Sequence, residues 1–229
     1  MASRAIRHTG RVTEAMGGGR AQSTRAALLD AAREVFTAAG YSDANVADIV
    51  DRAASSVGSL YHHFGGKPDL YIALYDDYQA RQQQRSVKAF RAALAAGEDD
   101  ALQLFIAGAR AYLEGCWEER ELARLFLSGG GPPGFELLTR RRFRAWLRAN
   151  SALLDHHAHP LSDMLVLMLT TISTEGGREV AVASSRAKAR QMIDEILELM
   201  GRLYPPERSE PASEASAPPP RRRPRTRRG

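Results

Sequence analysis

The segment from Asn45 to Leu70, NVADIVDRAASSVGSLYHHFGGKPDL, constrains this chain more than any other. It reads as two short helices joined by a tight turn. The first runs from about Val46 to Ala53 and buries Val46, Ile49, Val50 and Ala53 at helical spacing. The second starts near Ser56, buries Leu60 and Phe64, and ends at Gly65-Gly66. Asn45 and Ser56 stand where a side-chain oxygen caps a helix start. A longer helix precedes the pair, from Ser23 or Thr24 to Ala39. Its Leu28, Ala31, Ala32, Val35 and Ala39 recur at three- and four-residue spacing, and Gly40 offers a stop.

If Leu60 and Phe64 anchor the last helix to Val35, Phe36 and Ile49, its other face carries Ser56, Val57, Ser59, Tyr61 and His62. Small and hydrogen-bonding side chains on an exposed helix face suit the edges of DNA bases in the major groove. A serine hydroxyl bonds a base or a phosphate, and Val57 suits a thymine methyl. Gly58 is expected to leave room for close packing between the two short helices. Tyr61 as partial core and His63 as a merely solvated residue are the blander alternatives.

Residues 23–70 resemble the DNA-binding domain of the tetracycline repressor family of bacterial transcriptional regulators. The family's recognition segment reads A-G-V-S-x-G-[ST]-L-Y-x-[HY]-F-x-x-K-x-x-L, against AASSVGSLYHHFGGKPDL from Ala53 to Leu70. The resemblance implies that Tyr61, His62 and Lys67 contact DNA, with Lys67 on a phosphate at the head of a long fourth helix. Arg25, Asn45, Ser56, Val57 and Ser59 complete the candidate DNA contacts. Two departures stand out. Ala54-Ser55 replaces the usual Gly-Val at the turn, removing a permissive glycine and placing a hydroxyl where a valine packs. Unless Ser55 finds a partner, the module loses roughly 1–3 kcal/mol. Val57 stands where a lysine is frequent, removing a phosphate contact.

Beyond residue 68 the pattern is helical throughout, with no sustained period-two alternation. A long helix starts near Asp69 with Leu70, Leu74 and Tyr78 on one stripe. Further helices are expected at about Ala101–Gly115, Glu118–Leu127, Glu136–His157, Leu161–Ala183 and Ser185–Leu203. GGGPPG at 129–134 is the clearest loop, a plain connector or a mobile gate. The expected fold is therefore all-α, about nine helices. Residues 1–21 are read as a disordered basic arm and 22–68 as a three-helix helix-turn-helix DNA-binding domain. Residues 69–204 are expected to form a helical domain, to which the resemblance assigns ligand binding and dimerisation, followed by a disordered Pro/Arg-rich tail over 205–229.

One such module reads few base pairs, so specificity calls for two copies about one DNA turn apart, hence a homodimer. Leu161, Leu165, Met168, Leu169 and Ile172 form one apolar stripe, and Ile193, Ile196, Leu197, Met200 and Leu203 another. Two such pairs make a four-helix interface, as the resemblance also implies; the alternative is packing inside one subunit. The resemblance also implies a small-molecule effector pocket in the middle helices. Phe105, Tyr112, Trp117, Phe126, Phe143, Trp146 and Met164 are its candidate walls, or ordinary core.

The net charge of +5 is concentrated at the ends. Residues 1–24 carry four arginines against one glutamate, and 205–229 seven against three. Residues 25–68 are net −1, so the reading module is not itself basic. The arms are expected to supply salt-sensitive affinity for phosphates. The hydrophobic fraction of 44% supports a core, and abundant Ala and Leu favour helix. The longest apolar run, Met164 to Leu169, is far short of the roughly 20 residues of a membrane span. With no apolar leader and a single Cys116, a cytoplasmic protein without disulfides is expected.

Rival readings are weaker. His156, His157 and His159 match no common zinc spacing, and no cofactor is expected. Cys116 as a thiol sensor competes with a small core residue. A helical enzyme lacks support, because GGGR at 17–20 follows no strand and no Gly-x-Ser-x-Gly elbow appears. A nonspecific nucleic-acid binder driven by the arginine-rich arms is the remaining alternative. The expectation is thus a regulator of transcription, a repressor by the family's default, released from a palindromic double-stranded operator by an unknown effector.

Overall fold

The computed structural model describes residues 6–127, 129–154 and 161–203. Among them the chain forms α1 (Ile6–Asp43), α2 (Val46–Arg52), α3 (Val57–Phe64), α4 (Lys67–Ala95), α5 (Ala101–Glu118), α6 (Arg120–Leu127), α7 (Phe135–Leu154), α8 (Asp163–Val182) and α9 (Arg186–Leu203). No strand occurs among the described residues.

The start of α1 is a correction. The helix expected from Ser23 or Thr24 begins at Ile6 and passes through Gly17-Gly18-Gly19, so most of the segment read as a disordered arm is helical. Periodicity detects helices that have an apolar stripe, and residues 6–20 offer none to detect. Gly40 interrupts the helix as expected, with non-helical backbone at φ 75° and ψ 178°, and a separate short turn continues to Asp43. The fourth helix begins at Lys67 rather than Asp69, with Pro68 in its first turn, where its missing N–H costs nothing. Helix α7 ends its described part at Leu154; His156, His157, His159 and the tail after Leu203 lie outside the described residues.

Two apolar cores result. The first joins α1, α2 and α3 to the front half of α4 through Leu28, Val35, Phe36, Ile49, Leu60 and Phe64, and continues into Tyr71, Tyr75, Tyr78 and Phe126. Its rings meet edge to face: Tyr71 lies 5.1 Å from Phe36, 5.3 Å from Phe126 and 5.2 Å from Phe135. Each such pair contributes about 0.5–1.5 kcal/mol beyond area burial. The second core fills the space between α5, α8 and α9 with Leu104, Leu113, Val166, Leu169, Ile193, Leu197 and Met200. Tyr112 packs against both.

The glycine-rich connector is fastened rather than loose. The Tyr71 hydroxyl donates to the Gly130 carbonyl at 3.0 Å, and a Cβ on Gly131 would meet the Phe135 ring at 2.7 Å. That favours the plain connector over a gate.

Candidate nucleic-acid interface

Helix α3 is positioned by both of its ends. Ser56 is extended at φ −129°, and its Oγ accepts from the Ser59 N–H at 3.1 Å, satisfying one orphan donor of the first turn. At the other end Gly65 takes the left-handed conformation, φ 77°, and returns its N–H to the Tyr61 carbonyl. A Cβ there would lie 2.8 Å from the Asp69 carboxylate, which can turn aside, so it is the left-handed backbone that calls for glycine.

Between the caps the helix is two-faced. Leu60 and Phe64 are buried, whereas Tyr61 is 56% exposed, Val57 47% exposed, and His62 exposed beside them. His62 and His63 meet edge to face at 5.2 Å, and His63 is half-buried. Tyr61 as core is thereby excluded, and the expected outward face forms one continuous surface from Ser56 to His62.

The helix α2 end explains one departure in the motif. Ser55 N–H bonds the Val50 carbonyl at 2.9 Å and Ala54 N–H the Asp51 carbonyl at 3.1 Å, a Schellman closure. That closure wants a left-handed residue, and Ala54 supplies it at φ 45°, the one non-glycine residue with positive φ among those described. Such a conformation costs a residue with a Cβ roughly 1–2 kcal/mol. Ser55 is half-buried, so its hydroxyl does not sit in the sealed core that a valine would occupy.

Gly58 is a correction. A Cβ built there meets only the Ser56 hydroxyl at 3.9 Å, so the residue is not wedged between α2 and α3. It lies exposed on the outward face, where the missing side chain lowers the helix surface toward whatever docks.

The remaining candidates flank this face. Asn45 is extended and its Oδ1 accepts from Ala47 N–H at 3.0 Å, capping α2. Arg25 is exposed and stacks its guanidinium 4.9 Å from the Phe64 ring centre. Lys67 is half-buried, lies 4.7 Å from the Tyr41 ring centre and donates to the Ser42 carbonyl at 3.1 Å. It therefore clasps the end of α1 to the head of α4.

The proposed pocket walls do not converge. Phe126 sits in the aromatic cluster of the first core, Phe105 and Trp117 belong to the second, and Phe143 and Trp146 are half-buried on α7. Met164 is 64% exposed. Two open depressions mark the surface, one around Gly97 and Ile106, the other between α1 and α6 at Phe36, Gly40 and Arg124; none of the seven lines either. Periodicity shows that a side chain faces inward but not which neighbour it meets.

The dimer candidates divide as well. Leu161, Ile193, Leu197 and Met200 are buried within the subunit's own core, a correction to their assignment. Leu165 and Ile196 are half-buried and Met168 is 48% exposed. The apolar surface left uncovered on α8 and α9 is Met164, Met168, Val182, Leu199 and Leu203. Both helices are apolar on two faces, and a stripe alone does not say which one turns inward.

Sequence reasoning missed one buried polar group. Gln82 is 2% exposed, with its carboxamide against the Tyr78 hydroxyl. A signal existed: Leu70, Leu74 and Tyr78 recur every four residues, and Gln82 is the next position of that stripe.

Comparison with known proteins bears on the same residues. The family model for bacterial regulatory proteins of the tetR family matches residues 28–74. The HTH-type transcriptional regulator UidR of Escherichia coli K12 is 39% identical over 71 residues, 31% of this chain and 34% of that protein. The chain thus matches about a third of that relative's length. Over nearly the whole fold, the chain resembles a TetR-family transcriptional regulator from Pectobacterium atrosepticum at TM-score 0.53 and 25% identity, covering 81% of this chain and 94% of that one. It also resembles the transcriptional regulator FadR from Bacillus subtilis, solved in complex with stearoyl-CoA, at TM-score 0.62 and 16% identity, covering 76% and 96%.

Proposed function

We propose that the chain is a member of the tetR family of bacterial regulatory proteins and acts as a transcriptional regulator, a repressor by the family's default, that binds a palindromic operator as a homodimer. The observation that carries this reading is the outward face of α3. A capped helix with a buried anchor at Leu60 and Phe64 holds Val57, Gly58, Tyr61 and His62 rigidly toward solvent. Preorganised side chains on such a helix discriminate bases at about 1–3 kcal/mol per good contact.

Arg25, Asn45, Ser56, Ser59 and Lys67 surround that face and are assigned to the sugar-phosphate backbone or base edges. For Lys67 the assignment requires the ammonium to turn from the Ser42 carbonyl toward a phosphate. The exposed methionine and leucine face of α8 and α9 is the surface that pairs the subunits, which brings two α3 helices into one frame.

Release by a small molecule is the second half of the proposal. Helix α4 begins at the reading module and carries Tyr71, Tyr75 and Tyr78 on one face down into the body. An effector that favours a different seating of α4 changes the separation of the two reading helices. By linkage, DNA and effector then weaken each other equally. The work of such a protein lies inside the cell, beside the chromosome.

Selection of bound duplexes from a random pool tests the proposal. A palindrome with half-sites about one helical turn apart is the expected product. Retention of random duplex as tightly as any enriched sequence would instead identify a nonspecific binder driven by its arginine-rich ends.

A further inference from the structure

The outer face of α7 carries charge of one sign. The helix holds five arginines against one glutamate. Arg142 turns inward, pairing with Asp76 of α4 and lying over the Tyr75 ring at 5.4 Å. Phe135 meets the Tyr71 and Tyr75 rings at 5.2 and 5.0 Å and fixes the start of the helix on the same side. The other four arginines, Arg140, Arg141, Arg144 and Arg148, are all exposed. Three- and four-residue spacing sets them on one stripe, with Leu137, 62% exposed, among them. From Arg140 to Arg148 the row is roughly 12 Å long.

The fold makes little use of that row. Arg140 bridges Glu136 across one exposed turn, and no ion pair engages Arg141, Arg144 or Arg148 among the described residues. Like charges at four-residue spacing destabilise a helix, so the row opposes the element that carries it. An ordinary solvated face mixes its signs. On α9, Arg186, Lys188 and Arg190 are followed by Asp194, Glu195 and Glu198, all exposed. Past Glu136, α7 shows only cations.

The chemistry of the row specifies its partner. Arginine presents a planar fork that takes a phosphate with two hydrogen bonds. A duplex backbone offers phosphates in a regular series, one charge per roughly 3.4 Å of axis on each strand. The reading module over residues 25–68 is net −1, so affinity for such a polyanion must draw on cations elsewhere in the chain. Helix α7 is rooted beside the module rather than on α3, because Phe135 touches Tyr71, and Tyr71 touches Phe36 of α1 at 5.1 Å. Its arginines are therefore off the reading face, open to duplex that runs past the half-sites.

We propose that the arginine face of α7 is a second, sequence-independent DNA contact, holding the sugar-phosphate backbone of duplex that flanks the operator. The proposal rests on the regulator reading and adds to it a surface of the folded body that supplies nonspecific affinity. Base discrimination stays with α3, and α7 adds salt-sensitive grip wherever flanking duplex is present.

The test compares the full wild-type chain with a combined Arg140→Gln, Arg141→Gln, Arg144→Gln, Arg148→Gln variant. Glutamine removes the charge and keeps good helix propensity, so the variant should melt at the wild-type Tm or above. A second variant, Lys88→Gln, Arg91→Gln, Arg110→Gln, Arg186→Gln, removes the same number of exposed charges elsewhere. Affinity is measured across a salt series on two duplexes carrying the selected palindrome. One ends at the half-sites, and the other continues for about two helical turns on each side. Wild type is expected to bind the longer duplex about tenfold more tightly or better. The α7 variant is expected to lose that gain and to flatten the salt slope on the longer duplex by about 0.9 for each phosphate contact removed. On the short duplex it should match wild type, and the second variant should match wild type on both. An unchanged length dependence and slope in the α7 variant would overturn the proposal. So would an equal loss in the second variant, which would reduce the effect to net charge. Should wild type gain nothing from the flanks but bind phosphatidylserine vesicles through these same arginines, the face would belong to a lipid surface and the proposal would fall. Binding to the short duplex separates the two readings: if it persists without any gain from flanks, only the α7 surface fails, and if no palindrome is bound at all, the regulator reading fails first.

Discussion

The reading module and the helical body solve opposite problems. In α1–α3 the large apolar anchors such as Leu28, Phe36, Ile49, Leu60 and Phe64 are inside, Val57 and Tyr61 stand exposed on the outer face of α3, and the helix ends are capped by Asn45, Ser56 and Gly65. In the body the pattern is violated in both senses: Gln82 and Thr170 are buried, while Met164, Met168, Leu199 and Leu203 face outward. A surface meant for DNA needs rigidity and outward polarity. Under the proposed pairing of two subunits, the body instead keeps apolar side chains outside for a second copy to cover.

The largest effect that would break this contrast lies in the module's core. Leu60→Ala removes a fully buried side chain and should destabilise by about 2–5 kcal/mol, read as a lowered urea midpoint. A near-neutral result would mean that α3 is not anchored as described. Next is the outer face of α8. Met164→Glu combined with Met168→Glu should leave folding intact and shift the chain to monomer in sedimentation. The loss corresponds to roughly 1.5–3 kcal/mol for each methionine withdrawn from an interface. Unchanged assembly would move the pairing surface elsewhere.

Smaller effects sharpen the comparison. Gly58→Ala meets open space and replaces a poor helix former, so it should stabilise by up to about 1 kcal/mol in thermal melts. It should nevertheless weaken DNA binding, because the added methyl stands on the docking face. Were Gly58 a packing residue, stability would fall instead. Ala54→Gly relieves the φ of 45° at the α2 turn and should raise stability by about 0.5–1 kcal/mol while leaving base discrimination unchanged.

The module was readable from sequence because its information is local. Caps, glycine stops and the Leu60–Phe64 spacing act within a few residues, and each appears in the structure within one or two positions of its expected place. Even the cost of Ala54 was visible, since a turn that wants left-handed backbone shows when its glycine is missing. Gly58 was misjudged because the sequence does not say which face of a short helix a glycine occupies. In the body, periodicity found the helices but not their partners. Ile193 and Met200 lie on a stripe that turned out to be internal, while Leu199, between them, is outside. Of the seven candidate wall residues, six aromatics and Met164, the methionine lies exposed, while the buried polar group is Gln82, on an otherwise apolar stripe. The start of α1 escaped for the converse reason: a helix without a stripe leaves nothing periodic to find.

The central claim is that the outward face of α3 reads bases, and affinity of the Tyr61→Ala, His62→Ala double variant for the selected palindrome tests it most directly. Both side chains are exposed, so the variant should melt within about 0.5 kcal/mol of wild type. The account predicts a loss of roughly a hundredfold or more in affinity for the palindrome, with binding to random duplex little changed. Undiminished affinity in a folded double variant would contradict it.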